Sequence, residues 1–129
     1  MDEQAAEGTG SGGASSSTCV VTERWVDRTA VVAVAGVVDM LTSPELETAI
    51  DTALQQKPGA VVIDFTDVEF LASAGMGVLV AAHDKAGSEV EISVVADGPA
   101  TSRPLKLVGI ADIVKLYPSL DEALAANDT

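Results

Sequence analysis

At 129 residues, 47% of them apolar and only 3% aromatic, the chain is long enough to bury one core without disulfides or metals, and that core must be built from Val, Ala, Leu and Ile. A formal charge of −13, with seven Lys and Arg scattered along the sequence, rules out the basic stripe that a nucleic acid backbone requires. No apolar run approaches the roughly 20 residues of a membrane span, the acidic start Met1-Asp2-Glu3-Gln4 is unlike a secretory signal, and Cys19, the single cysteine, forbids an intrachain disulfide and points to the reducing cytoplasm, as an idle thiol ahead of the other reading, an intermolecular bridge.

Residues 1–18 are Gly, Ser, Ala, Thr and acids without periodicity, which reads as a disordered tail before one ordered domain over 19–127. Residues 20–26 alternate as a strand, and Asp27-Arg28 turns the chain into 29–38. That second run is apolar on both faces, the mark of a central strand. Thr42 with Glu45 reads as a capping box, Pro44 falls in the first helical turn, and Leu46, Ala49, Ile50, Ala53 and Leu54 form one stripe. Lys57-Pro58-Gly59 ends that helix, and 60–65 is a short β-branched strand.

A short acidic loop follows, then a helix over 74–86 that is apolar nearly all round and stops at Gly87. Residues 90–96 form the next strand, closed by Asp97-Gly98-Pro99. A short helix spans 104–108, capped by Thr101 or Ser102 and stopped at Gly109. Residues 113–117 read as an edge strand, and Ser119 with Glu122 opens a last helix through Ala126. The order β-β-α-β-α-β-α-β-α implies a single α/β domain with a mixed sheet, in which 60–96 is a parallel, right-handed crossover.

The most informative stretch is 61–79. A buried strand and an acidic loop lead to one serine, Ser73, set among small residues at the start of a helix. A hydroxyl there has unpaired backbone N–H groups around it and the positive end of a helix dipole behind it, which suits a residue that carries phosphate. As a catalytic nucleophile Ser73 fails. The position two residues before it is Leu71, not the glycine of a nucleophile elbow, and His83, the only histidine, is about 15 Å away along the helix at 1.5 Å per residue. Gly75-Met76-Gly77 is not followed by the Gly-Lys-Ser/Thr of a phosphate-gripping loop, and no Cys/His cluster offers a metal site. Ser73 as a plain helix cap is the competing reading. Gly75 and Gly77, poor helix formers, read as clearance for another backbone or surface to come close. Met76 reads either as an exposed apolar contact or as a core residue.

The pattern Asp64-Phe65-Thr66 … Ser73-Ala74-Gly75-Met76-Gly77 resembles the phosphorylation loop of anti-sigma factor antagonists of the STAS family. The likeness runs over 19–127: Gly36-Val37-Val38-Asp39 and Thr42-Ser43-Pro44-Glu45-Leu46 match the second strand's end and the following helix start. Leu105-Lys106-Leu107-Val108-Gly109-Ile110 and Tyr117-Pro118-Ser119-Leu120-Asp121-Glu122-Ala123-Leu124 match the closing elements. The chain departs from the family pattern at Ala72, where an acidic residue is usual, at Ala74, and at Val37, where a Glu is usual.

The resemblance implies a STAS-like mixed sheet with helices packed mainly on one face. It implies a non-enzymatic regulator that binds an anti-sigma factor of the ATP-using serine-kinase type and frees a sigma factor for transcription. Ser73 is then the phosphorylation site, a phosphatase reverses the modification, and Asp39, Met40, Asp67, Ser73, Ala74, Gly75 and Met76 form the partner surface. Asp39 reads equally as a turn residue. The ATP belongs to the partner, so the chain holds no cofactor. The alternative is a non-switching STAS scaffold subunit of a stress-sensing or lipid-transport complex.

Overall fold

The computed structural model describes residues 19–127; the tail expected over 1–18 lies outside the described residues. In chain order the elements are β1 (Cys19–Val26), β2 (Thr29–Val38), α1 (Ser43–Gln55), β3 (Ala60–Leu71), α2 (Ser73–Ala86), β4 (Glu91–Val95), α3 (Ser102–Leu107), a 3-10 turn (Ile110–Asp112), β5 (Lys115–Tyr117) and α4 (Leu120–Asn127). The strands lie side by side in the order β1-β2-β3-β4-β5. β1 is antiparallel to β2, joined through Asp27 at φ 55, a conformation that Asp tolerates. The pairs β2·β3, β3·β4 and β4·β5 are all parallel. The sheet is therefore mixed, as the element order implied, and β5 is an edge.

Strand alternation sends successive residues to opposite faces. On one face Val32, Val34 and Val38 of β2 join Val61, Ile63 and Phe65 of β3 beneath Leu46 and Ile50 of α1 and Leu79 of α2. Burial of each such side chain contributes about 1.5–3 kcal/mol. On the other face Val31, Val62 and Val95 pack with Ala123, flanked by Leu120 and Leu124 of α4. Three helices thus cover one face, since Leu105 of α3 joins the larger core, and α4 alone lies on the other.

Five local expectations are corrected. β3 does not stop at Phe65. Residues 66–70, read as an acidic loop, continue the strand and pair with β2 through two register shifts, between Ala33/Ala35 and Gly36/Val37. Each shift leaves one extra residue on β3, a β-bulge. Asp64 holds the first bulge, its Oδ1 accepting from the Thr66 amide at 2.9 Å and from the Thr66 hydroxyl. The Thr42–Glu45 capping box does not form, because the Thr42 hydroxyl turns back to the end of β2. α2 starts at Ser73 with Ala72 at its cap position, and it is buried along one side only, at Gly75, Val78, Leu79, Ala82 and Ala86. Neither Thr101 nor Ser102 caps α3 through its side chain, and the edge strand is confined to Lys115–Tyr117 because 110–112 winds as a 3-10 turn. The last cap does form in part, the Glu122 amide donating to Ser119 Oγ at 3.2 Å.

Candidate functional site

Parallel neighbours bring their C-terminal ends to the same edge of a sheet, so the loops leaving β2 and β3 emerge together. One hydrogen bond locks them: the Ala72 amide donates to the Val38 carbonyl at 2.8 Å. Ser73 follows at once as the first helical residue of α2, with its side chain exposed. No side-chain cap bond is present at this helix start, so the serine does not serve as the cap. The amides of Gly75 and Met76 both donate to the Ala72 carbonyl, at 3.0 and 3.2 Å. That leaves the amides of Ser73 and Ala74 without an intrahelical partner, as the first turn of any helix requires. An anion on Ser73 would meet these N–H groups and the positive end of the helix dipole.

Beside it the turn after β2 is held by Asp39. Its Oδ1 accepts from the Leu41 amide at 2.9 Å and the Thr42 amide at 3.1 Å. The Asp39 amide in turn donates to Thr42 Oγ1 at 2.9 Å, and the Thr42 hydroxyl reaches the Val37 carbonyl at 2.8 Å. Asp39 thus acts within its own turn as a shaping residue. With both backbone and carboxylate engaged, the turn throws Met40 and Leu41 outward, at 76% and 75% exposure. Apolar side chains this exposed, beside an accessible hydroxyl, suit a contact surface.

Of the other residues expected at the surface, Ala74 and Met76 are half-buried, and Met76 packs against the main core. Gly75 is not a surface residue. It is buried, and a Cβ built there would fall 2.5 Å from Val38 Cγ1 and 2.8 Å from Leu71 Cδ1. The glycine lets the start of α2 lie against the ends of β2 and β3; the clearance serves the chain's own packing. Gly77 has open space around it, with nothing within 4 Å of a built Cβ. Asp67 is exposed but sits lower on β3, opposite Ala35, so it is not brought into the Ser73 turn. Leu41 and Phe70, the latter 56% exposed, are surface residues that the sequence pattern does not single out. The available signal for Phe70 is an aromatic residue, in a chain with only two phenylalanines, placed where the sequence reads as a polar loop.

His83 lies in the last turn of α2, at the other end of that helix from Ser73. Cys19 pairs with Gly36 at the same edge of the sheet as the two turns. Burial pushes its thiol above the usual range, the Glu45 and Asp39 carboxylates add to that, and a hydrogen bond with Thr42 opposes it. Among the described residues no group of three or more His, Cys, Asp or Glu could hold a metal ion, and no helix is long and apolar enough to cross a membrane.

Known proteins resemble this chain in sequence and fold. A model of the STAS domain matches residues 22–123. The chain is 40% identical over 95 residues to the anti-sigma-F factor antagonist RsfB of Mycobacterium tuberculosis, covering 74% of this chain and 78% of RsfB. The crystal structure of an anti-sigma factor antagonist from Mycobacterium paratuberculosis superposes with a TM-score of 0.86 at 42% identity, over 89% of this chain and 98% of that one. The Bacillus cell fate determinant SpoIIAA in its phosphorylated form superposes with a TM-score of 0.63 at 18% identity, over 83% and 98% of the two chains; at that identity the likeness is one of fold.

Proposed function

The chain belongs to the STAS domain family, and from that premise we propose that it is an anti-sigma factor antagonist switched by phosphorylation of Ser73. In the cytoplasm, with Ser73 unmodified, it binds an anti-sigma factor of the serine-kinase type through the Ser73 turn and the neighbouring Met40-Leu41 turn. The occupied anti-sigma factor then releases its sigma factor. The partner transfers phosphate from its own ATP to the Ser73 hydroxyl, and a phosphatase removes it.

The observation that carries this reading is the exposed Ser73 hydroxyl at the first position of α2, tied by Ala72 to the turn that presents Met40 and Leu41. The hydroxyl is open to a kinase, and the apolar residues beside it supply a dockable surface. Ala74 on one side and Ala72 on the other carry no hydroxyl, so a kinase has one acceptor in this turn. Phosphate adds about −1.5 to −2 charges, which the start of α2 accommodates without refolding. At the interface the same charge must be desolvated, on a chain already at −13. Weakening an interface a thousandfold takes only about 4 kcal/mol, within reach of one misplaced buried charge. The 40% identity to RsfB, named as an anti-sigma-F factor antagonist, supports the class of partner.

The test is incubation of the full chain with purified serine-kinase anti-sigma factors and ATP, with phosphate located by mass spectrometry and affinity measured by calorimetry. Phosphate is expected on Ser73 alone. Ser73→Ala should bind as the wild type does and take no phosphate, and Ser73→Glu should bind at least about a hundredfold more weakly, some 2.7 kcal/mol. Equal, tight binding by both variants with no phosphate incorporated would show a non-switching scaffold instead.

A further inference from the structure

The sheet face that carries α4 is only half covered. Val26, Val31, Val62 and Val95 pack with Tyr117 and with Leu120, Ala123 and Leu124 of α4, and none of these strand residues lies beyond the level of Asp64, which pairs with Ala33 on one side and Val95 on the other. Alternation carries the same face on through Ala33, Ala35 and Val37 of β2, because Val32, Val34 and Val38 point into the core beneath α1 and α2. On β1 the residue paired with Ala35 is Val20, 60% exposed, and on β3 the residue paired with Val37 is Phe70, 56% exposed. Leu71, next to Phe70, is in the main core, which sends Phe70 to the α4 side. Val20, Ala35, Val37 and Phe70 therefore form an apolar strip across three strands, with neighbouring strands about 4.8 Å apart. Its two ends, Val20 and Phe70, are exposed, and Ala35 and Val37 between them are half-buried.

Two observations bear on what would dock there. The strip is continuous with the proposed switch surface: Phe70 precedes Ser73 by three residues, and Val37 leads directly into the Asp39 turn through the Thr42 bond to its carbonyl. Its rim is acidic, with Asp67 and Glu69 both exposed on the bulged end of β3. A second copy would bring two acidic rims together on chains that each carry −13, whereas a basic rim on a different protein is attracted.

We infer that the anti-sigma factor's footprint runs from the Ser73 turn around the end of the sheet onto this strip, where the partner presents an apolar centre ringed by Lys or Arg. The inference rests on the proposed function. It adds a second, constant contact to the switched one. Phe70 faces away from α2, so the phosphate on Ser73 does not enter this part of the footprint. The strip then contributes the same factor to affinity before and after phosphorylation, and the modified chain keeps a residual hold on its partner.

A four-variant cycle tests this: wild type, Val20→Ser/Phe70→Ser, Ser73→Glu and the combination, all as full chains, titrated into the purified serine-kinase anti-sigma factor at low and high salt. Thermal unfolding checks that each variant is folded, and sedimentation gives the oligomeric state. Removal of the two apolar anchors is expected to weaken binding about tenfold or more. The factor should be the same whether the pair is changed in the wild type or in the Ser73→Glu background, and the loss with added salt should be greatest for the wild type. If Ser73→Glu weakens binding while Val20→Ser/Phe70→Ser leaves it unchanged, the strip is no part of the interface and the switch reading stands. If Ser73→Glu has no effect, the switch reading fails, and an undiminished loss from the strip variant would then support the strip alone. A wild-type dimer that the strip variant splits into monomers assigns the strip to a second copy and overturns the inference.

Discussion

The two halves of β3 obey different rules. From Ala60 to Asp64 the strand pairs residue for residue with β2 on one side and with β4 on the other, and helices cover both faces. Beyond Asp64, as far as Leu71, it pairs with β2 alone, through two bulges, and only the face under α1 and α2 is covered. In the first half every position faces something apolar, so the sequence Ala60-Val61-Val62-Ile63 is continuously hydrophobic. In the second half the bulges stretch the spacing of core residues to three, Phe65, Val68 and Leu71, and the positions between them are free to be acidic or aromatic. The difference shows where the fold keeps its stability and where it displays a surface: β-bulges re-aim side chains at the rim of the sheet, next to the turn that carries Ser73.

Substitutions in the two halves should separate stability from binding. Ile63→Ala, at a fully buried position, is expected to cost about 2–5 kcal/mol, read as a fall in the urea midpoint with an unchanged slope. Phe70→Ser should shift the same midpoint by no more than about 0.5 kcal/mol. Equal losses from the two would mean that the bulged half is core after all.

The two glycines of α2 sharpen the contrast at the next scale down. Gly75→Ala should destabilise, because an overlap with Val38 and Leu71 at 2.5 and 2.8 Å costs about 1–3 kcal/mol and outweighs the helix propensity that alanine gains. Gly77→Ala meets nothing and should stabilise by up to about 1 kcal/mol. The same denaturation series checks both, and a stabilising Gly75→Ala would show that α2 does not press on the strand ends.

The smallest effect concerns reactivity. Burial, then the Glu45 and Asp39 charges, raise the Cys19 thiol above its usual range, so the thiolate is scarce at neutral pH and the free thiol persists until the pH passes the ordinary thiol range. Alkylation of Cys19 by iodoacetamide at pH 7–8 is expected to be slower than that of an unfolded control. Rapid labelling would mean that the edge formed by Cys19, Thr42 and the Asp39 turn opens readily.

Much of this architecture is legible in the residues. Alternation in 20–26, the double-sided apolar run at 29–38 and the stripe Leu46-Ile50-Ala53 carry β1, β2 and α1. The parallel crossover from β3 to β4 follows from element order. Where hydrogen bonds between side chain and backbone decide, the pattern misleads. Thr42 has the look of a helix cap but its hydroxyl serves the end of β2, and 66–70 has the look of a loop although Asp64, through Thr66, holds a bulge that lets the strand run on. At the candidate site, the serine at a helix start can be found from its small neighbours. The glycine beside it reads as clearance for another backbone or surface, but which one stays open in the sequence, since the residues it clears, Val38 and Leu71, are adjacent to it only in space.

By itself the sequence determined the class of fold, the number and order of its elements, and a lone hydroxyl at the start of an apolar helix, because these depend on hydrophobic period and local backbone preference. Only the tertiary structure decided that the acidic stretch is strand, that Gly75 is packed, and that Met40, Leu41, Phe70 and Val20 stand exposed around the Ser73 edge. Those outcomes depend on strand register and on which face a helix covers. A single inserted residue changes both, without leaving a mark in the local pattern.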